Sequence, residues 1–130
     1  MKKIILILIF FYIVSCIITM KYAEQQFLRA EEYHAVTEQF VALYGEGMIQ
    51  KDVVVNASYL SYALCKNARK WFEISGVAHA LYNVDYIIER CKCFESYYNY
   101  VSECLGSTTE ECSSKLIYAK IICSEDRTNF

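Results

Sequence analysis

The chain has 130 residues, of which 55% are hydrophobic, 15% are aromatic and 22% are charged, and its formal net charge at pH 7 is −2. This length allows one domain with a small core. The slightly acidic balance and the lack of a lysine or arginine stripe exclude the basic surface of a nucleic-acid-binding protein, so no nucleic-acid partner is expected.

The N-terminus has the pattern of an export signal. Lys2 and Lys3 precede an almost unbroken apolar run over residues 4–18. We expect residues 1–20 to be a secretory signal peptide that is cleaved, which leaves residues 21–130 as a single helical, disulfide-rich domain. Because the leader contains two lysines and no acidic residue, the mature domain has a formal net charge of −4.

Two other fates of this leader stay open. Residues 13–16 resemble a bacterial lipobox, which would leave Cys16 as a lipidated N-terminal residue. The apolar run is also just long enough to be an uncleaved anchor. The predicted location is secreted and extracellular, without membrane contact after cleavage unless Cys16 is lipidated. A bacterial periplasmic or lipid-anchored envelope location is the alternative.

The mature chain has the pattern of a helical domain. Proline is absent, glycine occurs four times, and the apolar residues recur at steps of three and four. The first mature helix is predicted over about 23–44 and ends at Gly45–Gly47. The second begins beyond Asp52 or Asn56, either of which could cap it, and ends before 75–76.

Three further elements complete the predicted fold. A short helical turn over 78–82 precedes a longer helix over about 83–105, which ends at Gly106. Thr108 and Glu111 match a capping box at the start of the last helix, and a polar tail follows that helix. We therefore predict an all-α, disulfide-stapled bundle of about five to six helices with a C-terminal antiparallel hairpin.

Six cysteines follow the leader, and an even number of cysteines behind an export signal indicates three disulfides. Eleven positions separate Cys93 from Cys104, which places both on one helix face but too far apart to bond. The same interval separates Cys112 from Cys123. An antiparallel hairpin brings the two helices' cysteines together instead. The hairpin places Cys104 beside Cys112 and Cys93 beside Cys123. Cys91 points away from Cys93 and could then reach Cys65 on the second helix, which gives one of the 15 pairings that six cysteines allow.

Neither metal binding nor catalysis is predicted. The sequence has no Cys-x-x-Cys knuckle, and Cys91 and Cys93 diverge on a helix, so neither a metal nor another cofactor is expected. His34 and His79 are expected to be solvated surface residues. Since no nucleophile elbow, phosphate loop or paired base occurs, the protein is not predicted to be an enzyme.

Aromatic residues are the candidates for a binding site. Tyrosine occurs 12 times, and several tyrosines cluster over residues 97–100. Aromatic rings with hydroxyl groups are typical of pockets that bind small hydrophobic ligands, although individual rings more often fill a core. The predicted ligand-binding residues are Phe40, Tyr62, Trp71, Phe72, Phe94, Tyr98 and Tyr118.

The middle of the chain resembles the insect odorant-binding proteins, which carry a Cys-Tyr-x-x-Cys segment on a central helix. The residues that match the family's order are Gly47, Asp52, Tyr62, Cys65, Lys66, Lys70 and Gly76. Ser61 stands where the family has its second cysteine, so the family's disulfide pattern is not carried over. The resemblance implies a helical bundle around an apolar cavity that carries odorants, pheromones or other hydrophobic molecules through extracellular fluid.

The resulting hypothesis is a secreted carrier of small hydrophobic ligands. Two alternatives stay open. The protein could be a bacterial envelope lipoprotein or a periplasmic interaction protein, such as an immunity factor. It could also be a secreted effector that binds a protein partner.

Overall fold

The structure is a computed structural model that describes residues 1–124, apart from the side chains of residues 76 and 77. Within this part of the chain it contains helices and no strands, which confirms the predicted all-α class. The polar tail predicted from residue 125 onward lies outside the described residues. The five helices are α1 (Lys2–Gly45), α2 (Lys51–Ile74), α3 (Gly76–Leu81), α4 (Val84–Cys104) and α5 (Glu110–Cys123).

Helix α1 is one continuous helix that includes the predicted leader. No proline or glycine interrupts the sequence before Gly45, so nothing ends the helix at the leader boundary. The chain turns at Gly47, whose φ of +75° is in the region that favours glycine. Among the described helices, α1 is the one long and apolar enough to cross a membrane, a property that signal sequences share.

Helix α2 begins at Lys51. The predicted caps, Asp52 and Asn56, therefore both lie inside the helix. Asp52 lies in the first helical turn, where its negative charge favours the helix dipole, so it does not act as the cap. Leu60 is exposed, because the buried face of α2 is offset from it and includes Ser61 and Cys65.

The remaining helices have defined caps. The Asn83 side chain accepts a hydrogen bond from the backbone N–H of Tyr86, 3.1 Å away, and so caps α4. Helix α5 is capped by Thr109 and not by Thr108 as predicted. Thr109 Oγ1 accepts from the backbone N–H of Cys112 at 3.3 Å, the spacing that an N-cap residue requires.

The helices pack in alternating directions around α2. Ser61 on α2 donates to the Ala30 carbonyl oxygen on α1 at 2.8 Å, and Asn67 donates to Gln26, so α2 runs antiparallel to α1. Helix α5 folds back along α4 after Gly106, whose φ is +82°. The predicted C-terminal antiparallel hairpin is therefore present.

Three disulfides join these helices. Cys65–Cys91 links α2 to α4, while Cys93–Cys123 and Cys104–Cys112 link α4 to α5. These three pairs are the predicted ones. Each bridge restricts the conformations that the unfolded chain can adopt, and one disulfide typically stabilises a domain by about 2 to 4 kcal/mol.

The buried residues form two clusters. The larger one lies between α1, α2 and α4 and is centred on Phe27, Phe72 and Phe94. The smaller one lies near the α4–α5 turn around Val54 and Val101. With a core of this size, the disulfides contribute a large share of the marginal stability of the domain.

Candidate functional site

A groove of about 600 Å³ runs between α2 and α4 on the surface of the bundle. Both walls are regular helices, and the Cys65–Cys91 disulfide joins them. The groove is therefore fixed by covalent structure as well as by packing. The residues that line it are Tyr59, Tyr62, Ala63, Lys66, Asn67, Arg69, Lys70, Glu73, Ile74, Cys91 and Glu95.

Stacked tyrosines form one end of this α2–α4 groove. The rings of Tyr62 and Tyr98 lie parallel, with an interplanar angle of 3° and centroids 5.6 Å apart. The Tyr59 ring also packs against Tyr98, with centroids 5.6 Å apart and the two planes tilted by 58°. Because Tyr59 and Tyr62 are three residues apart on α2, they lie on the same helix face. Together these rings form an aromatic cluster that joins α2 to α4, and each ring also carries a hydroxyl group.

The rim of the groove carries a cationic pair. Lys66 Nζ lies 5.8 Å from the centroid of the Tyr62 ring, within range of a cation–π contact. Lys70 follows one turn later on the same face. Among the described residues, neither lysine forms a salt bridge, whereas Arg69 is paired with Glu73 at 2.9 Å. The two lysines are thus available to an anionic ligand.

The structure brings together two of the seven predicted ligand-binding residues, Tyr62 and Tyr98. Phe72 and Phe94 are fully buried in the larger core cluster, and Phe40 packs against the smaller one. Tyr118 is exposed on α5.

Trp71 lies apart from the groove, in a second depression. This depression has a volume of about 370 Å³ and is formed by α1 and the end of α2. Its lining residues are Tyr12, Ser15, Cys16, Thr19, Met20, Trp71, Ile74 and Ser75.

The lysines of the groove were not among the predicted site residues. Their signal was present, since Tyr62, Lys66, Lys70 and Ile74 recur at steps of four and therefore lie along one face of α2. A tyrosine and two lysines at that spacing resemble an ordinary solvated helix face. The opposite wall, supplied by α4, distinguishes this face from others.

A buried polar cluster lies on the other side of α4. The Arg90 guanidinium donates to both carboxylate oxygens of Glu31, at 2.7 and 2.8 Å, and its carbon Cζ lies 4.9 Å from the Phe94 ring centroid. Burial lowers the pKa of Arg90, but the hydrogen bonds and the charge of Glu31 outweigh this effect and hold it above its usual value. Arg90 is therefore a fixed cation inside the bundle.

His34 belongs to the same cluster and is buried, so its predicted surface position is wrong. Its Nε2 lies 2.8 Å from Glu38 Oε1, and its ring packs 4.8 Å from that of Phe94. The physical reason is that α4 covers this face of α1. His79, by contrast, is exposed as predicted.

His34 also lies beside the Cys93–Cys123 disulfide. The ligand atoms of these three residues lie within 4.8 Å of one another, which is a spacing that metal ligands can have. The two sulfur atoms are bonded to each other in the structure, so neither is a thiolate that could bind an ion.

Tyr97 completes this cluster. Burial raises its pKa to about 12, with smaller contributions from the charges of Glu38 and Tyr100. Its hydroxyl group therefore stays protonated throughout the physiological range.

Comparisons with known proteins add no family. No family model, curated protein or solved structure matches this chain. The resemblance to odorant-binding proteins stays a prediction that rests on the residues around Tyr62 and Cys65.

Proposed function

We propose that the protein is an exported binding protein for small hydrophobic molecules that carry an anionic group. The supporting observation is the α2–α4 groove, in which a stacked tyrosine surface lies next to two unpaired lysines. The apolar part of the ligand would cover the rings of Tyr59 and Tyr62 and the side chain of Ile74. Its anionic group would lie between Lys66 and Lys70.

The size of the groove is consistent with useful affinity. A ligand that buries about 200 Å² of apolar surface gains about 5 kcal/mol at 25 cal/mol per Å². A hydrogen bond to a charged group adds about 1.5 to 3 kcal/mol. Lost translational and rotational freedom and side-chain ordering offset these terms by about 4 kcal/mol or more, so the micromolar range is the upper limit of the affinity that they support.

The test is the binding of a fluorescent fatty acid, dansyl-undecanoic acid, to the oxidised full chain held in lipid nanodiscs. Nanodiscs accommodate the apolar residues of α1, and empty nanodiscs measure the partition of the probe into lipid alone. We expect saturable binding above this blank. Absence of any saturable binding would refute the proposed function.

Two tyrosine variants locate the site. Tyr62→Ala removes the ring that stacks on Tyr98 and contacts Lys66, so we expect at least about tenfold weaker binding, which is about 1.4 kcal/mol. Tyr118→Ala is the matched control, because Tyr118 is an exposed tyrosine on α5 outside the groove. Equal losses in both variants would place the probe elsewhere.

The charge requirement has its own test. Lys66→Gln combined with Lys70→Gln keeps most of each side chain's length but removes both charges. We expect this variant to weaken binding of the fatty-acid probe while leaving binding of its methyl ester unchanged. A parallel loss for acid and ester would show that the lysines contribute shape and not charge.

A further inference from the structure

The apolar half of α1 has the length and flanking charges of a membrane span. Its large side chains from Ile4 to Ile18 are mostly exposed, so the domain leaves most of this run uncovered. Lys3 and Lys21 bracket this run. They are eighteen residues apart along the helix, or about 27 Å at 1.5 Å per residue, close to the hydrocarbon thickness of a bilayer at about 30 Å.

The folded domain depends on the end of the predicted leader. Met20 is the last residue of that leader, yet it is only 3% exposed and belongs to the larger core cluster. Cleavage after residue 20 would remove this side chain from a packed core and leave a cavity, which destabilises a folded domain. The fold is therefore more stable with α1 intact.

Helix α2 ends beside the membrane-spanning half of α1. The contacts of Ser61 with Ala30 and of Asn67 with Gln26 fix the antiparallel register of the two helices. Extending this register places Ile74 level with about residue 17 of α1, which is four residues, or about 6 Å, toward the N-terminus from Lys21. Accordingly, Ile74 and Trp71 line one depression with residues 12–20 of α1.

The side chains at this end of α2 fit the surface of a bilayer. Ile74 is 69% exposed, an apolar residue that lipid would cover. Trp71 is half-buried, and tryptophan is enriched at the level of lipid headgroups. Lys21 lies toward the domain from these residues, where a long cationic side chain reaches lipid phosphates.

We propose that α1 is retained as a membrane anchor and that the C-terminal end of α2 inserts into the same bilayer. Trp71 and Ile74 enter the outer edge of the hydrocarbon layer, and Lys21 contacts the phosphates. The lysines at positions 2 and 3 favour a cytoplasmic N-terminus. The domain then lies on the opposite, oxidising side, where its three disulfides form.

Trp71 provides a direct test, because it is the only tryptophan in the chain. The full-length protein is reconstituted into phosphatidylcholine vesicles that contain phosphatidylglycerol, with or without bromine on the upper acyl carbons. We expect shallow bromolipids to quench Trp71 strongly and lipids brominated near the end of the acyl chains to quench it weakly. Emission that is unaffected by either bromolipid would overturn the proposal.

Two matched variants remove the effect of the partial burial of Trp71. In both, Trp71→Phe is combined with one new tryptophan, at Ile74 or at Ile121. These two isoleucines are similarly exposed, at 69% and 64%. Ile121 lies near Cys123, which is bonded to Cys93, and Cys93 contacts His34 on α1. His34 is thirteen residues beyond Lys21 on the same helix, so this level of the domain lies about 20 Å from the bilayer surface.

The Ile74→Trp variant should be quenched several-fold more by shallow bromolipids than the Ile121→Trp variant. Equal quenching of the two would overturn the insertion of α2. Intact mass of the protein recovered from the membrane fraction tests the anchor itself, since a chain that lacks residues 1–20 would overturn its retention. Neither result depends on ligand binding in the groove, so the two proposals can fail separately.

Discussion

The ion pair between Arg90 and Glu31 gives the sharpest stability prediction. The Arg90 side chain is 2% exposed, whereas that of Glu31 is 23% exposed. The change Glu31→Gln keeps the size of the side chain and one acceptor oxygen, but it removes the negative charge. Arg90 then remains a buried cation that has lost its hydrogen-bonded carboxylate partner.

The expected cost follows from the burial of the partner that is left behind. Removing one member of a buried pair typically destabilises a protein by about 3 to 5 kcal/mol. Because Glu31 is partly solvated and glutamine can still accept one hydrogen bond, we expect about 2 to 3 kcal/mol. The reverse change, Arg90→Met, leaves a carboxylate that water can reach and should cost less.

Thermal unfolding followed by far-UV circular dichroism in detergent micelles measures these differences. A loss of about 2 to 3 kcal/mol lowers the melting temperature by about 10 °C or more in a domain of this size. The double variant Arg90→Met with Glu31→Leu removes both charges and should recover much of the loss. If Glu31→Gln is less destabilising than Arg90→Met, water reaches Arg90 and the reasoning fails.

Three further predictions concern single residues. Because burial raises the pKa of Tyr97 to about 12 from its usual value of 10.0, its contribution to stability is complete below pH 10 and declines between these values. Tyr97→Phe should therefore flatten the alkaline limb of a melting-temperature curve. Gly106→Ala should destabilise more than Gly47→Ala, since both positions have positive φ but a methyl group at Gly106 would lie 3.1 Å from Tyr44 Oη. In a Tyr44→Ala background, the fall in melting temperature that Gly106→Ala causes should equal the fall that Gly47→Ala causes in the unchanged protein. Ser61→Ala removes a buried hydrogen bond to α1 and should cost about 1 to 2 kcal/mol in the same assay, with an unchanged melting temperature counting against this contact.

Local signals in the sequence predicted the main features of the fold. Glycine near residues 45–47 and at 106 marked the two long-helix ends, because these positions need a turn that other residues adopt poorly. The eleven-residue spacing of the cysteines indicated a hairpin, since that interval returns to one face of a helix. Such features depend on neighbouring residues alone.

Features that depend on distant contacts were not predictable in the same way. Arg90 and His34 resemble surface residues in the sequence, and their burial depends on the packing of α4 against α1, 59 positions away. The groove likewise needs two helices at a fixed distance. Tyr62 and Tyr98 were both predicted as ligand-binding residues, but the sequence could not show that their rings stack across two helices.

The two proposals are connected through Ile74, which lines both the α2–α4 groove and the depression beside α1. The groove therefore has one end at the proposed bilayer surface, and the tyrosine stack lies about three turns farther along α2. A lipid-soluble ligand could enter from the bilayer without exposing its apolar part to water. In that arrangement its apolar part would cover Ile74 and the rings of Tyr59 and Tyr62, and its anionic group would lie at Lys66 and Lys70, above the lipid phosphates. A retained anchor would thus place the binding site where such molecules are most concentrated, which explains why a binding domain would keep its apolar helix.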